Sequence, residues 1–494
     1  MSSTTALNRA QMLERLRSGE SFDVVVIGGG ATGLGVAVDA ASRGLKTLVV
    51  DAQDFGAGTS SRSTKLIHGG VRYMKNPRDW SLVREALAER RLLLKNAPKL
   101  VHAQAFVMPC YSWGELAFYS AGVALYSAFA SCGFGIGHMS VFSRNGALCA
   151  LSGLKRKGLK GAVKFYDAQF DDARTAIALM QTALREGATA LNYMPVTRVT
   201  VEGDRVASVT LKDEETGETF TVKAGCFFNC AGPWVDNIRR MANAEVDSLV
   251  RISRGSHIVV DKKFMPSDAA MVIPKTKDGR LLFVIPWKDN LEIGTTDLEI
   301  TDDEIDFMVE TANGYLEKKI TKADVKGSFS GLRPLFKGHV VSGGPTSAKL
   351  SREHAVIPEF GNLVTVTGGK WTSYRAMAEH ALAVAFRMKL IRRGGCMTRS
   401  LPLYVDPSVD VLALEKRADQ VKDVQSVVKD VEAYAAYCVK NTGARTAKDV
   451  LYRRLRLGEL NKARTAELMP VVEAAVKKAV AIQQKDEYKP AGAG

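Results

Sequence analysis

The alternation of hydrophobic and polar positions changes character several times along the 494-residue chain. Residues 1–21 form a polar lead-in with a short helical tendency. From Phe22 the pattern sharpens to FDVVVIGGGATGLGVAVDAASRGLKTLVVDA. Val24–Ile27 is a β-branched run and predicts a buried strand. A glycine turn follows, then a helical stretch from about Ala31 to Ser42 that Gly44 ends. Thr47–Val50 predicts a second buried strand, and a β-α-β unit of this length makes the sheet parallel. Val196–Val201, Arg205–Lys212 and Glu218–Lys223 are short strands parted by Gly203-Asp204 and Thr216-Gly217, which predicts an antiparallel meander. Strand-like runs recur at His257–Val260, Leu281–Pro286, Leu291–Gly294 and Leu363–Thr367. After about residue 395 the chain is rich in Ala, Lys, Arg and Val with helical periodicity. The whole predicts a mixed α/β body followed by a helical C-terminal part, without internal repeats.

One stretch invites a membrane reading. Between Glu115 and Arg144 there is no Asp, Glu, Lys or Arg, a span of 144 − 115 − 1 = 28 residues. A spanning helix needs about 20 predominantly apolar residues. Ser120, Ser127 and Ser131 share one helical face, however, and Gly133, Gly135 and Gly137 break the helix soon after. The expectation is a buried core helix or one lying in a membrane interface. Arg90, Arg91, Lys95 and Lys99 flank it on one side, and Lys155, Arg156, Lys157 and Lys160 on the other.

Composition narrows the class. The chain is 46% hydrophobic and 24% charged, which excludes a disordered or disulfide-framed protein. Net charge is +15, favouring anionic partners such as acidic lipid, phosphorylated substrates or nucleic acid. No RGG, RNP or zinc pattern supports nucleic acid. The seven cysteines show no CxxC and no ligand cluster, so no metal is expected, and Cys226 and Cys230 read as core thiols. Met1–Leu13 holds one arginine, Arg9, and no acid, a weak transit-peptide pattern.

The glycine turn carries chemistry. Gly28-x-Gly30-x-x-Gly33 lies between the first strand and the first helix. Gly28 permits the tight turn, Gly30 lets backbone approach a pyrophosphate, and Gly33 lets helix pack on strand. The helix N-terminus offers its amides to phosphate. Asp51, 51 − 28 = 23 positions on, stands where an acid accepts hydrogen bonds from ribose hydroxyls. This setting predicts an adenine dinucleotide. Two further features favour FAD: a strand over Val222–Asn229 ending in Cys230-Ala231-Gly232-Pro233, and VTVTGGKWTSYRAMAEHALAVAF, again strand, double glycine and helix. A helix starting near Thr372 aims its positive end where a reduced flavin carries charge.

Longer motifs carry a resemblance. GAGTSSRSTKLIHGGVRY from Gly56, SGLRPL (330–335), Ser351-Arg352-Glu353-His354 and GGKWTSYR (368–375) resemble the signatures of FAD-dependent glycerol-3-phosphate dehydrogenases, more the mitochondrial type than the bacterial. The resemblance runs from about residue 22 to 480. Asp51 replaces the Glu usual at the ribose position, and nothing after residue 400 matches a calcium-binding loop. The resemblance implies oxidation of sn-glycerol 3-phosphate to dihydroxyacetone phosphate, with electrons passing through FAD to a quinone. It implies a Rossmann-like FAD-binding domain interwoven with an antiparallel-sheet substrate domain over 22–390, and an all-α cap over 391–494. It also implies peripheral attachment to a membrane, the mitochondrial inner membrane or, alternatively, a bacterial cytoplasmic membrane. A homodimer stays open.

That reaction needs cations for a phosphate dianion and a base for a hydroxyl proton. Arg72, Arg333 and Arg352 lie in the motifs and suit bidentate phosphate binding, with Tyr73 as hydroxyl partner. Lys370, behind the double glycine, is placed to bind substrate oxygen or stabilise reduced flavin. His257 in RGSHIVV is the candidate base, against a structural role for the same ring and against a cation-assisted route through Arg333 or Lys370. His68 is expected to pack on the flavin or order its loop. Ser60, Ser61, Lys65 and Leu66 are expected to touch the cofactor through backbone and hydroxyl groups, alongside Val196, Ala231, Gly232 and Gly369. The rival readings are a glycerol-3-phosphate oxidase that reduces oxygen, and an amino-acid or amine oxidase of the same fold.

Overall fold

A computed structural model describes residues 8–131, 135–274, 276, 277, 279–296, 301–338, 354–392 and 394–487. The chain forms two compact units, one of residues 1–61, 173–252 and 333–494, the other of 62–172 and 253–332.

The first unit is built on a six-stranded sheet. Its spatial order is His354–Glu359, Leu363–Gly368, Ala224–Asn229, Phe22–Ile27, Thr47–Val50 and Thr189–Leu191. All neighbouring pairs are parallel except the His354–Glu359 edge, which runs antiparallel to Leu363–Gly368. Central strands covered on both faces read as unbroken apolar runs, and Val24, Val25 and Val26 are fully buried. The helix Ala31–Ser42 and the strand Thr47–Val50 stand at their expected bounds. The meander also forms: Val196–Glu202, Arg205–Lys212 and Thr219–Val222 make an antiparallel three-stranded sheet. The expected single strand over 222–229 is two, parted at Lys223, because Thr219–Val222 belongs to the meander and Ala224–Asn229 to the parallel sheet.

The C-terminal part of this unit is helical. Val411–Gln420, Gln425–Thr442 and Lys462–Glu487 close on a hydrophobic cluster of their own that includes Val431, Ala435, Leu451 and Val472. A buried ion network also ties helical residues to the body. Asp54 accepts from both Arg453 and Arg454, and Arg456 Nη2 reaches the Ser61 carbonyl at 3.4 Å. The polar lead-in contributes a packed helix, Arg9–Arg17, whose Arg9 pairs with buried Asp213 at 2.8 Å.

The second unit rests on a nine-stranded, mostly antiparallel sheet. Its long strands Val101–Cys110 and Gly161–Phe170 pair through ten residues each. The uncharged stretch forms the helix Trp113–Ser131. Among the described residues no helix is long and apolar enough to cross a membrane. The core-helix expectation fails: among the described side chains of this helix only Val123, Tyr126 and Ala130 are buried, while Trp113 and Phe118 are 67% and 61% exposed. Arg90 is no surface cation either; it is fully buried and paired with Asp167 at 2.5 Å.

Candidate functional site

In the first unit, three glycine-bearing turns leave the C-terminal ends of adjacent parallel strands. They are Gly28–Gly30 after Phe22–Ile27, Cys230–Gly232 after Ala224–Asn229, and Gly368–Lys370 after Leu363–Gly368. Ligands of open α/β sheets bind at that edge. Two glycines there admit no side chain. Gly28 sits at φ +108°, where a Cβ would lie 2.5 Å from the Cys230 carbonyl oxygen, and a Cβ on Gly33 would lie 1.8 Å from the Gly28 oxygen. Helix and strand therefore meet at backbone distance, as the spacing predicted.

The helix Ala31–Ser42 opens without a capping side chain from Gly30; its Ala31 amide instead donates to Ser60 Oγ at 2.9 Å. Ser60 is held in turn from the GGKW motif, because Trp371 Nε1 donates to its carbonyl at 2.9 Å. Two motifs 311 residues apart thus converge on one helix N-terminus. Asp51 Oδ2 accepts from the Gly29 amide at 2.6 Å and Oδ1 from the Gln53 amide at 2.7 Å. Burial pushes its carboxyl up to about 6, against the pull of those two amides. The buried Thr367 hydroxyl, at the end of Leu363–Gly368, has no hydrogen-bond partner among the described residues. An ionisable acid beside the glycine turn, a helix N-terminus opening on that turn and this hydroxyl fit a dinucleotide.

Comparison with known proteins decides which. Residues 23–383 match the family model described as FAD dependent oxidoreductase. A mitochondrial glycerol-3-phosphate dehydrogenase of Arabidopsis thaliana is 38% identical over 78% of this chain and 64% of its own length. One from Rattus norvegicus is 34% identical over 94% of this chain and 71% of its own.

The chain is a member of the FAD-dependent oxidoreductase family, on its glycerol-3-phosphate dehydrogenase branch.

Its cofactor is FAD. The chain spans 64% and 66% of the length of the first two curated relatives it matches. In fold it resembles the glycerol-3-phosphate dehydrogenase of Bacillus halodurans complexed with FAD (TM-score 0.73, 24% identity, 99% of both chains). The FAD-bound L-α-glycerophosphate oxidase of Mycoplasma pneumoniae is more distant, with TM-score 0.61 and 16% identity over 79% of this chain and 100% of that one.

For this family member, the expected cofactor residues group around the first turn. Gly28, Gly30, Gly33, Asp51, Ser60 and Ala231 are joined by the contacts above; a Cβ on Gly28 would also lie 2.9 Å from the Ala231 nitrogen. Gly232 and Gly369 hold left-handed conformations at φ +56° and +71°. Lys370 is extended and half-buried just ahead of the helical stretch that begins at Trp371. Val196 opens the meander and packs in an apolar cluster. Ser61 is buried with its carbonyl held by Arg456. Arg333 is half-buried on the strand Gly327–Phe336.

The second unit holds the remaining residues. The Leu66 side chain enters an apolar cluster, and the Tyr73 ring packs on Gly70. His68 lies half-buried in the turn after Leu66–Ile67. Arg72 lies in the short turn Val71–Lys75 with its side chain outside the described residues; Arg352, in the sequence span of the first unit, lies outside them entirely.

His257 is 1% exposed. Its ring stacks on Phe329, centroids 4.8 Å apart, and its Nε2 lies 3.0 Å from Thr64 Oγ1. A Cβ on Gly294 would collide with the ring at 1.9 Å, so the neighbouring strand needs glycine to admit it. Glu292 Oε1 stands 3.7 Å from His257 Nε2, and Glu292 Oε2 stands 3.7 Å from Lys65 Nζ. Lys65, left-handed at φ +54°, also lies 3.7 Å from Asp172 Oδ2 and 4.1 Å above the Phe329 ring. Lys65 therefore turns its ammonium into this unit's core, which leaves its backbone for any cofactor contact. Thr64, Asp172 and Glu292 were missed in the sequence. Glu292 left a signal: it is a carboxylate inside LEIG, a run otherwise built for burial.

Proposed function

We propose that this protein oxidises sn-glycerol 3-phosphate to dihydroxyacetone phosphate and passes the electrons to a membrane quinone. The observation that carries the reading is the Trp371–Ser60 hydrogen bond, which brings two glycerol-3-phosphate dehydrogenase signatures onto the N-terminus of the dinucleotide helix. The identities of 34–38% to enzymes named for this substrate support it.

Gly28, Gly30, Gly33, Asp51, Ser60, Ala231, Gly232, Gly369 and Lys370 would hold FAD, with Ser61, Lys65, Leu66, His68 and Val196 contributing around it. When bound, FAD supplies the acceptor for the hydride that leaves C2 of the substrate. Arg333, with Arg72, Arg352 and Tyr73, binds the phosphate dianion, since guanidinium forks pair two phosphate oxygens at once. Lys370 polarises the substrate oxygen, lowering the cost of removing its proton. His257 takes that proton, leaving a ketone at C2.

Quinone as the acceptor is supported by the exposed apolar row of Trp113–Ser131. Trp113, Phe118 and Leu125 present large apolar side chains, as a helix lying in a membrane interface does. The names of the relatives point to mitochondria, and we place the protein peripherally on the inner membrane there. The test is an assay with glycerol 3-phosphate and a soluble ubiquinone analogue, following dihydroxyacetone phosphate and quinol together. Equal yields of both are expected. Ketone formed only in oxygen, with hydrogen peroxide in place of quinol, would make the protein an oxidase.

A further inference from the structure

The loop that carries Asp51 and Ser60 is held from the far end of the chain. Its residues 52–59 fold back onto the glycine turn. Gly56 donates its amide to the Gly29 carbonyl at 2.9 Å, and a Cβ on Gly29 would lie 2.5 Å from the buried Phe55 ring. Beside Phe55, Asp54 is fully buried. A carboxylate removed from water is retained only where hydrogen-bond donors and cations replace its hydration.

Those donors come from three side chains. Asn192 Nδ2 gives one hydrogen bond at 3.1 Å and Arg453 Nε a second at 2.5 Å, while Arg454 grips both carboxylate oxygens through Nη1 and Nη2. Asp449 joins the set: it accepts from Arg453 Nη2, and from the Tyr193 hydroxyl at 2.8 Å. Burial alone would raise the Asp54 carboxyl, but Arg454 and Arg453 hold it below the ordinary carboxylate range, so it is ionised at neutral pH.

The local backbone makes this grip possible. Asp449–Arg454 is a π-helical turn, in which the Leu455 amide donates to the Val450 carbonyl at 2.8 Å. This wider turn sets consecutive residues at a smaller angle than an α-helix does, so neighbouring arginines reach one carboxylate. Arg456 then turns left-handed at φ +62°, and its buried guanidinium donates to the Ser61 carbonyl at 3.4 Å and to Glu459 at 2.8 Å. Both kinds of backbone departure gather at functional sites. The loop is thus gripped at Asp54, just after Asp51, and at Ser61, next to Ser60. The charges also reach the ribose acid: after burial and the two amides, Asp54 raises the Asp51 carboxyl and Arg453 lowers it.

We propose that Arg453, Arg454 and Arg456 are positioning residues for FAD: docked on Asp54 and Ser61, they hold the 51–61 loop in its cofactor-binding form. The inference rests on the reading of Asp51 and Ser60 as cofactor residues. The three arginines act through the loop and need no contact with the cofactor. FAD affinity and the docking of the C-terminal helical part are then one coupled equilibrium. The coupling is reciprocal, so bound FAD tightens the arginine grip by the factor by which the grip tightens FAD.

The test is an equilibrium titration of the full-length apoprotein with FAD, read by flavin fluorescence, beside a thermal melt of each variant. Asp54→Asn keeps the shape and removes the charge, and should raise the Kd for FAD about tenfold or more, as should Arg454→Met. Val431→Ala opens a cavity in the apolar cluster of the C-terminal helices, where Val431 is fully buried. It should lower the melting temperature and leave the Kd unchanged. A folded Asp54→Asn protein with wild-type FAD affinity overturns the proposal, and so does an equal loss of affinity in Val431→Ala. Should both charge variants fail to fold, hydrogen exchange of the wild-type protein decides. Adding FAD should slow the amides of Asp449–Arg454 more than those of Val411–Gln420, and equal slowing overturns the proposal. Asp51→Asn separates the two readings. Unchanged FAD affinity there removes the cofactor reading of the loop and the proposal with it. Weakened affinity there, beside wild-type affinity in Asp54→Asn, overturns the proposal alone.

Discussion

The glycine cradle of the first unit and the charged pocket around His257 in the second are built in opposite ways. The cradle is made of backbone. Its shape comes from positions where a Cβ cannot exist, such as Gly33 at 1.8 Å from the Gly28 oxygen. The pocket is made of side chains from four separated segments: Thr64-Lys65, Asp172, His257 and Glu292. A backbone device is local, so its residues keep a fixed spacing. A side-chain device is assembled by the sheet, and its members carry no spacing at all.

The difference predicts how each breaks. The largest effect falls on the cradle. Gly33→Val forces helix and strand apart, and the purified protein should carry no flavin absorbance and take up none on adding FAD. Normal flavin content in that variant would mean that the turn is not the cofactor site. Next comes Arg333→Ala, which on the proposed reading removes a bidentate phosphate partner worth about 3 kcal/mol, or about a hundredfold in kcat/KM. Flavin content should stay at the wild-type level, and unchanged turnover would take Arg333 out of the site.

A smaller effect separates charge from shape within the cradle. Burial pushes the Asp51 carboxyl up to about 6. Ribose hydroxyls donate to the ionised form, so FAD affinity should rise with pH through about 6 and fall below it. Asp51→Asn should weaken FAD binding by about tenfold and flatten that dependence; an equilibrium titration of apoprotein by flavin fluorescence reads both. Outside both regions stands the double variant Trp113→Ser, Phe118→Ser. Each exposed ring contributes about 1–2 kcal/mol of apolar burial in an interface. Affinity for anionic vesicles, read by co-sedimentation, should drop by about thirtyfold or more while flavin reduction stays unchanged. Equal sedimentation of both proteins would remove the helix as a docking face.

The same contrast explains what could be read from the sequence. The bounds of Ala31–Ser42 and Thr47–Val50 were legible because glycine and β-branched runs act on their own neighbours. The meander was legible because its turns are marked by Gly203 and Gly217. The buried state of Arg90 was not, since its partner Asp167 is 77 residues away and a helix-borne arginine is ordinarily solvated. Nor was the open face of Trp113–Ser131: its narrow buried stripe of Val123, Tyr126 and Ala130 has no period distinct from that of a core helix. His257 was legible as a histidine beside a strand, but the Glu292 and Lys65 that charge its surroundings become neighbours only when the strands pair.

The most direct test of glycerol 3-phosphate oxidation is the flavin spectrum of the purified protein under strict exclusion of oxygen. Addition of glycerol 3-phosphate should bleach the absorbance near 450 nm within the mixing time of a turnover, with one dihydroxyacetone phosphate formed per flavin. A yellow protein whose spectrum does not change at saturating substrate contradicts the assignment and leaves only the fold and the cofactor standing.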